Sequence, residues 1–360
     1  MAPRLRHHPR RASVVGAGSF GTAVALLLER AGVRTTLLCR TEEQATRLTE
    51  SRRNEKYLPG VELPNGLKIR ALGAREDQFH RADLVFVAVP SRGIGDAIAE
   101  LERQGVNDRA GIVSLAKGLV PPDGTPPTEV LDRAFGTARV ACVGGPAHAK
   151  EMVEGGAGLI CASQPPLLAE TVAAILRESG VVCEVSTDPV GVELAGSAKN
   201  AAALAAGATE PQGLNAAGMA AADIFGEVLA LAESRGGRAR TFLGRAGVGD
   251  LVATAMAPKS RNRSAGELLA EGVPASEIPD RLGQAVESLE TVPLLARAIE
   301  RAGISAPITS ALARLIEGAL PLDDWVALVR VAQPDPERRD RGVRSWLRRM
   351  RRRFSRLWGR

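Results

Sequence analysis

The sequence predicts an α/β protein with an N-terminal Rossmann-like, doubly wound parallel sheet and a C-terminal all-α domain. Three observations lead to this prediction. Short apolar runs alternate with amphipathic helical patterns up to about residue 189, the first apolar run ends in a glycine-rich turn, and helical patterns alone continue to about residue 331. A chain of 360 residues is long enough for two domains.

The predicted strands follow one another in a regular order. The first is ASVVGAG at 12–18, followed by TTLLCR, DLVFVAVP, GIVSLAKG, RVACVGGP, GLICA and VVCEVS. Each is a short apolar run typical of a strand that is buried on both faces. The segments SFGTAVALLLERAG, GIGDAIAELERQG and LLAETVAAILRESG, which lie between them, have the spacing of amphipathic helices. From residue 190, patterns rich in alanine and leucine predict helices alone.

The charge is distributed unevenly along the chain. The segment 338–360 contains eleven arginines and one acid, which leaves 36 basic and 40 acidic residues, a net charge of −4, in the other 337 residues. The basicity therefore belongs to a C-terminal appendage on a mildly acidic body. Aromatic residues make up only 3% of the chain, so we expect no nucleic-acid binding.

The cysteines and histidines predict neither disulfides nor a metal site. The four cysteines lie in apolar runs without metal-ligand spacing and are interpreted as reduced core thiols, which favours a cytoplasmic location. The four histidines form no cluster in the sequence. We expect no bound metal and, in the absence of a long apolar run, no spanning helix.

The first strand is followed by a dinucleotide-binding fingerprint. Gly16, Gly18 and Gly21 have G-x-G-x-x-G spacing, which allows a tight turn, a close approach of pyrophosphate to the backbone and close packing of helix on strand. The basic start MAPRLRHHPRR and the uncharged run after it also resemble a signal peptide, but the glycine spacing favours the fingerprint. Cys39 and Arg40 stand where an acid would bind a ribose hydroxyl, so NADP is permitted beside NAD.

Several segments carry a family resemblance. VVGAGSFGTAVA, NEKYLPGVELP, VAVPS, SLAKG, GGPAHAKE, GVELAGSAKNAAALAAG, GVGDLVATAMAPKSRNRSAG and LGQAVES occur in this order. Together they resemble the bacterial form of the NAD(P)-dependent glycerol-3-phosphate dehydrogenase family, from about residue 12 to residue 331. The resemblance implies reversible reduction of dihydroxyacetone phosphate to sn-glycerol 3-phosphate, which supplies phospholipid synthesis, and a homodimer.

With this resemblance, the chain divides into four parts. We expect a basic extension at 1–11, a dinucleotide-binding domain at 12–189, a helical substrate-binding domain at 190–332, and a linker with a basic amphipathic tail at 333–360. The resemblance implies that the cofactor site contains Gly16, Gly18, Ser19, Phe20, Gly21, Arg40, Pro90, Lys117, Ala149, Arg261 and Glu287.

Lys199 is the expected proton donor, because hydride transfer to a ketone leaves negative charge on oxygen. It lies in an alanine-rich stretch where burial would lower its pKa, whereas Asp250 nearby would raise it. The sequence does not fix the balance. By resemblance Lys199, Lys117 and Asp250 are catalytic, and Asn200 and Thr254 bind the substrate. The alternative is a lysine that extends out of a packed helix to solvent.

The segment SRNR at 260–263 is suited to a phosphorylated substrate. A guanidinium matches the oxygens of a phosphate, and an adjacent amide adds a donor. We therefore expect Arg261 and Asn262 to bind phosphate. Alone, such a string would be interpreted as a solvated basic turn, but its distance from Asp250 fits the bacterial form of the family.

Three segments depart from the bacterial pattern. Ala222, Asp223 and Ile224 replace a Thr-Arg-Gly segment, PAHA at 146–149 replaces PSFA, and Ser288 follows Glu287 in place of glycine. These changes leave two alternatives open. One is a reductase of another small phosphorylated ketone or β-hydroxyacid, and the other is a non-catalytic dinucleotide-binding paralogue.

The C-terminal segment 342–360, GVRSWLRRMRRRFSRLWGR, lies outside the resemblance. Its apolar residues have helical spacing and arginines occupy most other positions, which is typical of a basic amphipathic helix that binds an anionic membrane surface. We therefore expect peripheral attachment at the inner face of the membrane. A solvated tail, nucleic-acid attraction and docking on a partner are the alternatives.

Overall fold

A computed structural model describes residues 9–74, 78–257 and 260–331 of the 360-residue chain. The basic tail and most of the N-terminal extension lie outside these residues. The described chain consists of an eight-stranded sheet with helices on both faces, followed by helices alone.

The sheet has the strand order β3-β2-β1-β4-β5-β6-β7-β8. The strand bounds are β1 Arg11–Val15, β2 Arg34–Cys39, β3 Lys68–Ala71, β4 Leu84–Val87, β5 Gly111–Ser114, β6 Val140–Gly144, β7 Gly158–Ser163 and β8 Val182–Ser186. The chain order reverses between β1 and β4, where crossover connections diverge and leave a crevice at the carboxyl ends of the strands.

The doubly wound α/β class is confirmed, but the expectation of a wholly parallel sheet is wrong at one pair. β7 runs antiparallel to β6, with Val143 opposite Cys161. The connection between these two strands contains one six-residue helix. β3 was not among the predicted strands, since its sequence KIRA is short and half polar.

The helices of the sheet domain cover both faces. Their bounds are α1 Ser19–Arg30, α2 Glu42–Ser51, α3 Ile94–Arg103, α4 Pro127–Phe135, α5 Ala149–Glu154 and α6 Leu167–Glu178. One core joins α1, α2, α5 and α6 to the sheet, and a second joins α3 and α4 to the opposite face.

The remaining helices pack around a third core, which also includes Cys142 of β6 and Ile160 and Ala162 of β7. Their bounds are α7 Pro189–Thr209, α8 Leu214–Ser234, α9 Ala239–Leu243, α10 Asp250–Met256, α11 Arg261–Ala270, α12 Ile278–Leu282, α13 Glu287–Arg301, α14 Pro307–Ile316 and α15 Leu322–Val331. α7 is central, because 18 of its 21 residues are buried. Its small alanine and glycine side chains let α8 and α11 pack closely against it.

One described helix, α8, is long and apolar enough to cross a membrane by length and composition. In this structure α8 packs along α7, and 33% of its most apolar window is buried. A core helix of a globular protein meets the same criterion, so the finding is weak evidence for a membrane span.

Candidate active site

The glycine turn after β1 is shaped for close contacts. Gly16 has φ +112°, and a Cβ there would lie 2.6 Å from the carbonyl oxygen of Ala88. A Cβ at Gly21 would lie 2.8 Å from the Cβ of Ala88, so α1 packs tightly on the sheet. A Cβ at Gly18 would meet no atom of the described residues within 4 Å. The turn therefore has open space at Gly18, where a ligand could approach the backbone.

The N-terminus of α1 faces this open space without a side-chain cap. Gly18 is the N-cap residue, so Ser19 and Phe20 occupy the first turn of the helix. Uncapped N–H groups and the helix dipole favour an anion at this position. Arg40 follows β2 and is exposed, whereas Cys39 is buried. The turn and Arg40 fit a dinucleotide with or without a 2′-phosphate.

A buried lysine lies in the middle of α7. Lys199 is only 9% exposed, and its Nζ donates a hydrogen bond to Oγ1 of Thr254 at 3.1 Å. The same nitrogen lies 3.5 Å from Oδ1 of Asp250. α10 therefore supplies two side chains, Thr254 and Asp250, that contact the ammonium group.

A second lysine reaches the same carboxylate from the sheet domain. Lys117 follows β5, and its Nζ donates to Oδ2 of Asp250 at 2.9 Å and to the carbonyl oxygen of Gly145 at 2.9 Å. Its Nζ also lies 5.7 Å from the centre of the Phe20 ring. Asp250 thus accepts contacts from one lysine of each domain. A π-helical turn at Arg245–Gly249 leads directly into Asp250.

Amide side chains extend this cluster toward α11 and α13. Asn262 Nδ2 donates to Oδ1 of Asn200 at 2.8 Å, and Asn200 Nδ2 donates to Oε2 of Glu287 at 3.3 Å. Asn262 Oδ1 accepts from the backbone N–H of Ser288 at 3.3 Å. Asn200 Nδ2 also lies 3.4 Å from the carbonyl oxygen of Lys117. The network fixes both amides relative to the two lysines.

The predicted site residues separate into two groups. The cluster unites Lys117, Lys199, Asn200, Asp250, Thr254, Asn262 and Glu287, with Phe20 beside Lys117.

No side-chain hydrogen bond or ion pair joins the remaining predicted residues to this cluster among the described residues. Arg261 is exposed at the start of α11 and forms no hydrogen bond or ion pair to any described residue. Pro90 is exposed before the turn at Ser91–Gly93, and Ala149 begins α5 and packs against the core that contains α1. These three side chains make no hydrogen bond to the described residues of the network.

The electrostatics favour proton transfer at Lys199. Burial and, to a smaller extent, the positive charge of Lys117 lower its pKa to about 8, although Asp250 and Glu287 partly oppose this shift. Burial would raise the pKa of Asp250, but the two lysines hold it below the ordinary value. Lys199 can therefore exist as ammonium or as amine near neutral pH, beside a carboxylate that stays ionised.

Two sequence-family models match this chain over most of its length. The N-terminal model of NAD-dependent glycerol-3-phosphate dehydrogenase matches residues 11–167, and the C-terminal model matches residues 188–327. The chain belongs to the glycerol-3-phosphate dehydrogenase family. The expected family membership is confirmed.

The similarity to relatives within the glycerol-3-phosphate dehydrogenase family extends over nearly the whole length of each relative. An NAD(P)+ glycerol-3-phosphate dehydrogenase of Deinococcus radiodurans is 38% identical over 310 residues, 85% of this chain and 90% of its own. One from a Parafrankia species is 36% identical over 92% of this chain and 99% of its own. The crystal structure of the Coxiella burnetii glycerol-3-phosphate dehydrogenase has a TM-score of 0.83, at 27% identity over 91% of this chain and 100% of its own.

The three departures from the family pattern lie in different surroundings. Ile224 is fully buried in the helical core, whereas Ala222 is exposed on α8. His148 is exposed at the N-cap of α5. Ser288 is fully buried, and its hydroxyl has no hydrogen-bond partner in the described chain. Only Ser288 touches the polar network, through its backbone N–H.

Two residues with notable contacts at or near the site were not predicted from the sequence. Gly145 has φ +97°, and a Cβ there would lie 2.5 Å from the carbonyl oxygen of Gly158, so the position requires glycine. Its carbonyl accepts from Lys117, and the paired glycines in GGP were the available signal. Glu193 in α7 is buried and binds Thr128. The only indication of Glu193 in the sequence was an isolated acidic residue in an apolar stretch, six residues before Lys199.

Proposed function

We propose that the protein is an NAD(P)H-dependent reductase that reversibly converts dihydroxyacetone phosphate to sn-glycerol 3-phosphate. One observation carries the proposal: the side chain of Lys199 is buried between Thr254 and Asp250 and has a pKa of about 8. Membership of the glycerol-3-phosphate dehydrogenase family supports the same reaction.

The residues of the glycine turn would hold the dinucleotide. Open space at Gly18 and the uncapped N-terminus of α1 suit a pyrophosphate, and Arg40 suits a 2′-phosphate, so we assign NADP or NAD as the cofactor. When bound, the reduced nicotinamide supplies a hydride to the carbonyl carbon. We assign Phe20, Pro90, Ala149, Lys117 and Glu287 to the cofactor side of the site, where Phe20 lies beside Lys117 and Glu287 binds Asn200.

Lys199 completes the reduction by proton transfer. The carbonyl carbon gains the hydride, and the carbonyl oxygen gains a proton from the Lys199 ammonium, which becomes a neutral amine and is then reprotonated from solvent. Lys117 and Asp250 form an ion pair beside the expected position of this oxygen, and Thr254 accepts a hydrogen bond that orients the Lys199 nitrogen. In the reverse direction the neutral Lys199 accepts the proton of the alcohol.

Asn200, Asn262 and Arg261 would bind the other end of the substrate. Asn262 and Asn200 are hydrogen-bonded to each other beside the lysines, so their amides can orient the hydroxyl and phosphate groups. Arg261 follows Ser260, which caps α11, and is exposed without a partner in the described chain. Its guanidinium is available for a charge-assisted contact with phosphate.

The test is NADPH and NADH oxidation by the purified protein with dihydroxyacetone phosphate, unphosphorylated dihydroxyacetone and 2-keto acids. We expect turnover that is selective for the phosphorylated ketone. Selective turnover of another ketone would replace the substrate assignment. Tight NADPH binding, measured by fluorescence titration, without turnover of any substrate would support the non-catalytic alternative and refute ours.

We further propose that the enzyme is a homodimer. Exposed large apolar side chains occur on α8 to α10, among them Leu214 at 81%, Leu243 at 74% and Met256 at 77%. Exposed apolar surface of this kind is often covered in an assembly. Light scattering coupled to gel filtration should give twice the 37.8 kDa chain mass, and the chain mass alone would refute the dimer.

We propose a cytoplasmic enzyme that attaches to the membrane through its tail. The four cysteines, all in the described residues, are free and buried, as reduced thiols are in the cytoplasm. The amphipathic segment 342–360 lies outside the described residues, and its sequence carries the proposal. The full chain should sediment with phosphatidylglycerol vesicles at low salt but not with phosphatidylcholine vesicles, and a chain ending at residue 333 should stay in solution.

A further inference from the structure

We propose that Glu193 is a positioning residue for catalysis, because with Thr128 it anchors the far end of the segment that carries Lys117. The proposal rests on the proposed reductase function, in which Lys117 acts beside Lys199. The catalytic segment, residues 115–128, runs from the end of β5 into the first turn of α4. Glu193 lies on α7, the helix that also carries Lys199 and Asn200.

Glu193 is joined to α4 by three contacts. Its Oε2 accepts from Oγ1 of Thr128 at 2.6 Å, and the N–H of Thr128 lies 3.0 Å and 3.2 Å from its two carboxyl oxygens. Thr128 is in the first turn of α4, whose N-cap Pro126 supplies no side-chain hydrogen bond. The carboxyl group of Glu193 accepts from a backbone N–H that has no partner within α4, and burial raises the pKa of Glu193 to about 8. Glu193 therefore caps a helix of the other domain.

The near end of the catalytic segment is bound to the same helix. Asn200 Nδ2 lies 3.4 Å from the carbonyl oxygen of Lys117, and Lys117 Nζ binds Asp250, whose α10 packs on α7. The two anchor points on α7, Asn200 and Glu193, are seven residues apart, about two helical turns or roughly 10 Å. α7 thus determines the positions of both ends of the segment and of Lys199 together.

Other contacts of the catalytic segment hold its tip. Val120 pairs with Thr125 in a short bridge, and Gly124 packs where a Cβ would lie 2.5 Å from the carbonyl oxygen of Leu294 in α13. Asp123 pairs with Arg301 of α13, but both side chains are about half exposed or more. Exposed ion pairs contribute little. Thr128 and Glu193, both buried, are the stronger connection at the α4 end.

The same arrangement occurs in the helical domain, far along the chain from the catalytic segment. Glu227 of α8 accepts from Oγ1 of Thr309 at 2.6 Å and from the N–H groups of Ile308 and Thr309, in the first turn of α14. Thr309 is as buried as Thr128. Loss of either hydroxyl removes one equivalent hydrogen bond, so Thr309 provides a matched control for stability.

The experiment compares T128V with T309V in the full-length protein. Valine keeps the shape of threonine and removes the hydroxyl. We expect T128V to lower kcat for dihydroxyacetone phosphate reduction about tenfold or more, since small misplacements of catalytic groups are costly. T309V should stay within about twofold of wild type with a similar decrease in Tm, NADPH affinity should be unchanged in both, and T128S should restore kcat.

Hydrogen–deuterium exchange provides a readout that does not depend on turnover. T128V should speed amide exchange in residues 117–127, and T309V should speed it only near the start of α14. Wild-type kcat in T128V, equal kcat losses in both variants, or unchanged exchange in residues 117–127 would overturn the proposal. If the wild-type protein does not reduce dihydroxyacetone phosphate, the proposed function fails, and the exchange result still decides whether Glu193 and Thr128 anchor the segment.

Discussion

Replacement of Asp250 by asparagine should shift the pH dependence of the reaction downward. Asp250 Oδ1 lies 3.5 Å from Lys199 Nζ, where two unit charges interact by roughly 5 kcal/mol at an effective dielectric constant of about 20. Lys117, at 2.9 Å, shares the carboxylate, and water rearrangement screens the change. We therefore expect the pKa of Lys199 to fall from about 8 by about 1 to 2 units.

The direction follows from the state of Lys199 that each reaction uses. Reduction needs the ammonium form, so its kcat/KM should fall as the pH rises through the pKa, at about 8 in the wild type and between about 6 and 7 in D250N. Glycerol 3-phosphate oxidation needs the amine, so its kcat/KM should rise through the same pH range.

The assay records NADPH oxidation and NADP+ reduction from about pH 5.5 to 9.5, a range that brackets both expected pKa values. D323N, which removes an exposed carboxylate at the start of α15, is the control and should keep the wild-type profile. An inflection that stays near pH 8 in D250N, or one that moves equally in D323N, would refute the assignment of this pKa to Lys199.

Three further substitutions test single residues of the site. R261A should lower kcat/KM for dihydroxyacetone phosphate roughly 10- to 100-fold, because one charge-assisted contact to phosphate is lost, and should change kcat/KM for dihydroxyacetone little. Equal losses for both substrates would assign Arg261 to the fold or to cofactor binding. R40D should weaken NADPH binding far more than NADH binding in fluorescence titrations, and a parallel change would exclude Arg40 as the 2′-phosphate ligand. S288A removes a buried hydroxyl without a partner in the described chain, so urea unfolding should show a gain of roughly 1 kcal/mol, and a loss would reveal a hidden hydrogen bond.

The parts predicted best from the sequence are those specified locally. The glycine turn is an example, because Gly16 and Gly21 lie where any Cβ would collide with the Ala88 backbone or side chain. The alanine-rich pattern of α7 likewise predicted a closely packed helix with a buried Lys199. Such features depend on a residue and its immediate neighbours, so a single sequence contains them.

The parts that were not predicted depend on segments that meet only in the folded chain. β7 runs antiparallel to β6 in the folded sheet, and the sequence of neither strand specifies that direction. The Gly145 carbonyl is available to Lys117 only because β5 and β6 are neighbours. The pKa of Lys199 depends on how closely Asp250 approaches, and the sequence does not give that distance. In the folded chain the carboxylate lies 3.5 Å from the Lys199 nitrogen, and the lowering of the pKa by burial outweighs the raising by Asp250.

The unequal sharing of Asp250 explains why Lys199, rather than Lys117, is suited to exchange a proton. Lys117 Nζ has two oxygen partners at 2.9 Å, from Asp250 and Gly145, whereas Lys199 Nζ has the Thr254 hydroxyl at 3.1 Å and the carboxylate only at 3.5 Å. A hydroxyl can accept from an ammonium and also donate to an amine, so Thr254 accommodates both states of Lys199. The two oxygens beside Lys117, a carboxylate oxygen and a backbone carbonyl oxygen, can only accept hydrogen bonds. The positive charge of Lys117 opposes the ammonium form of Lys199 and assists proton transfer from Lys199 to the substrate oxygen.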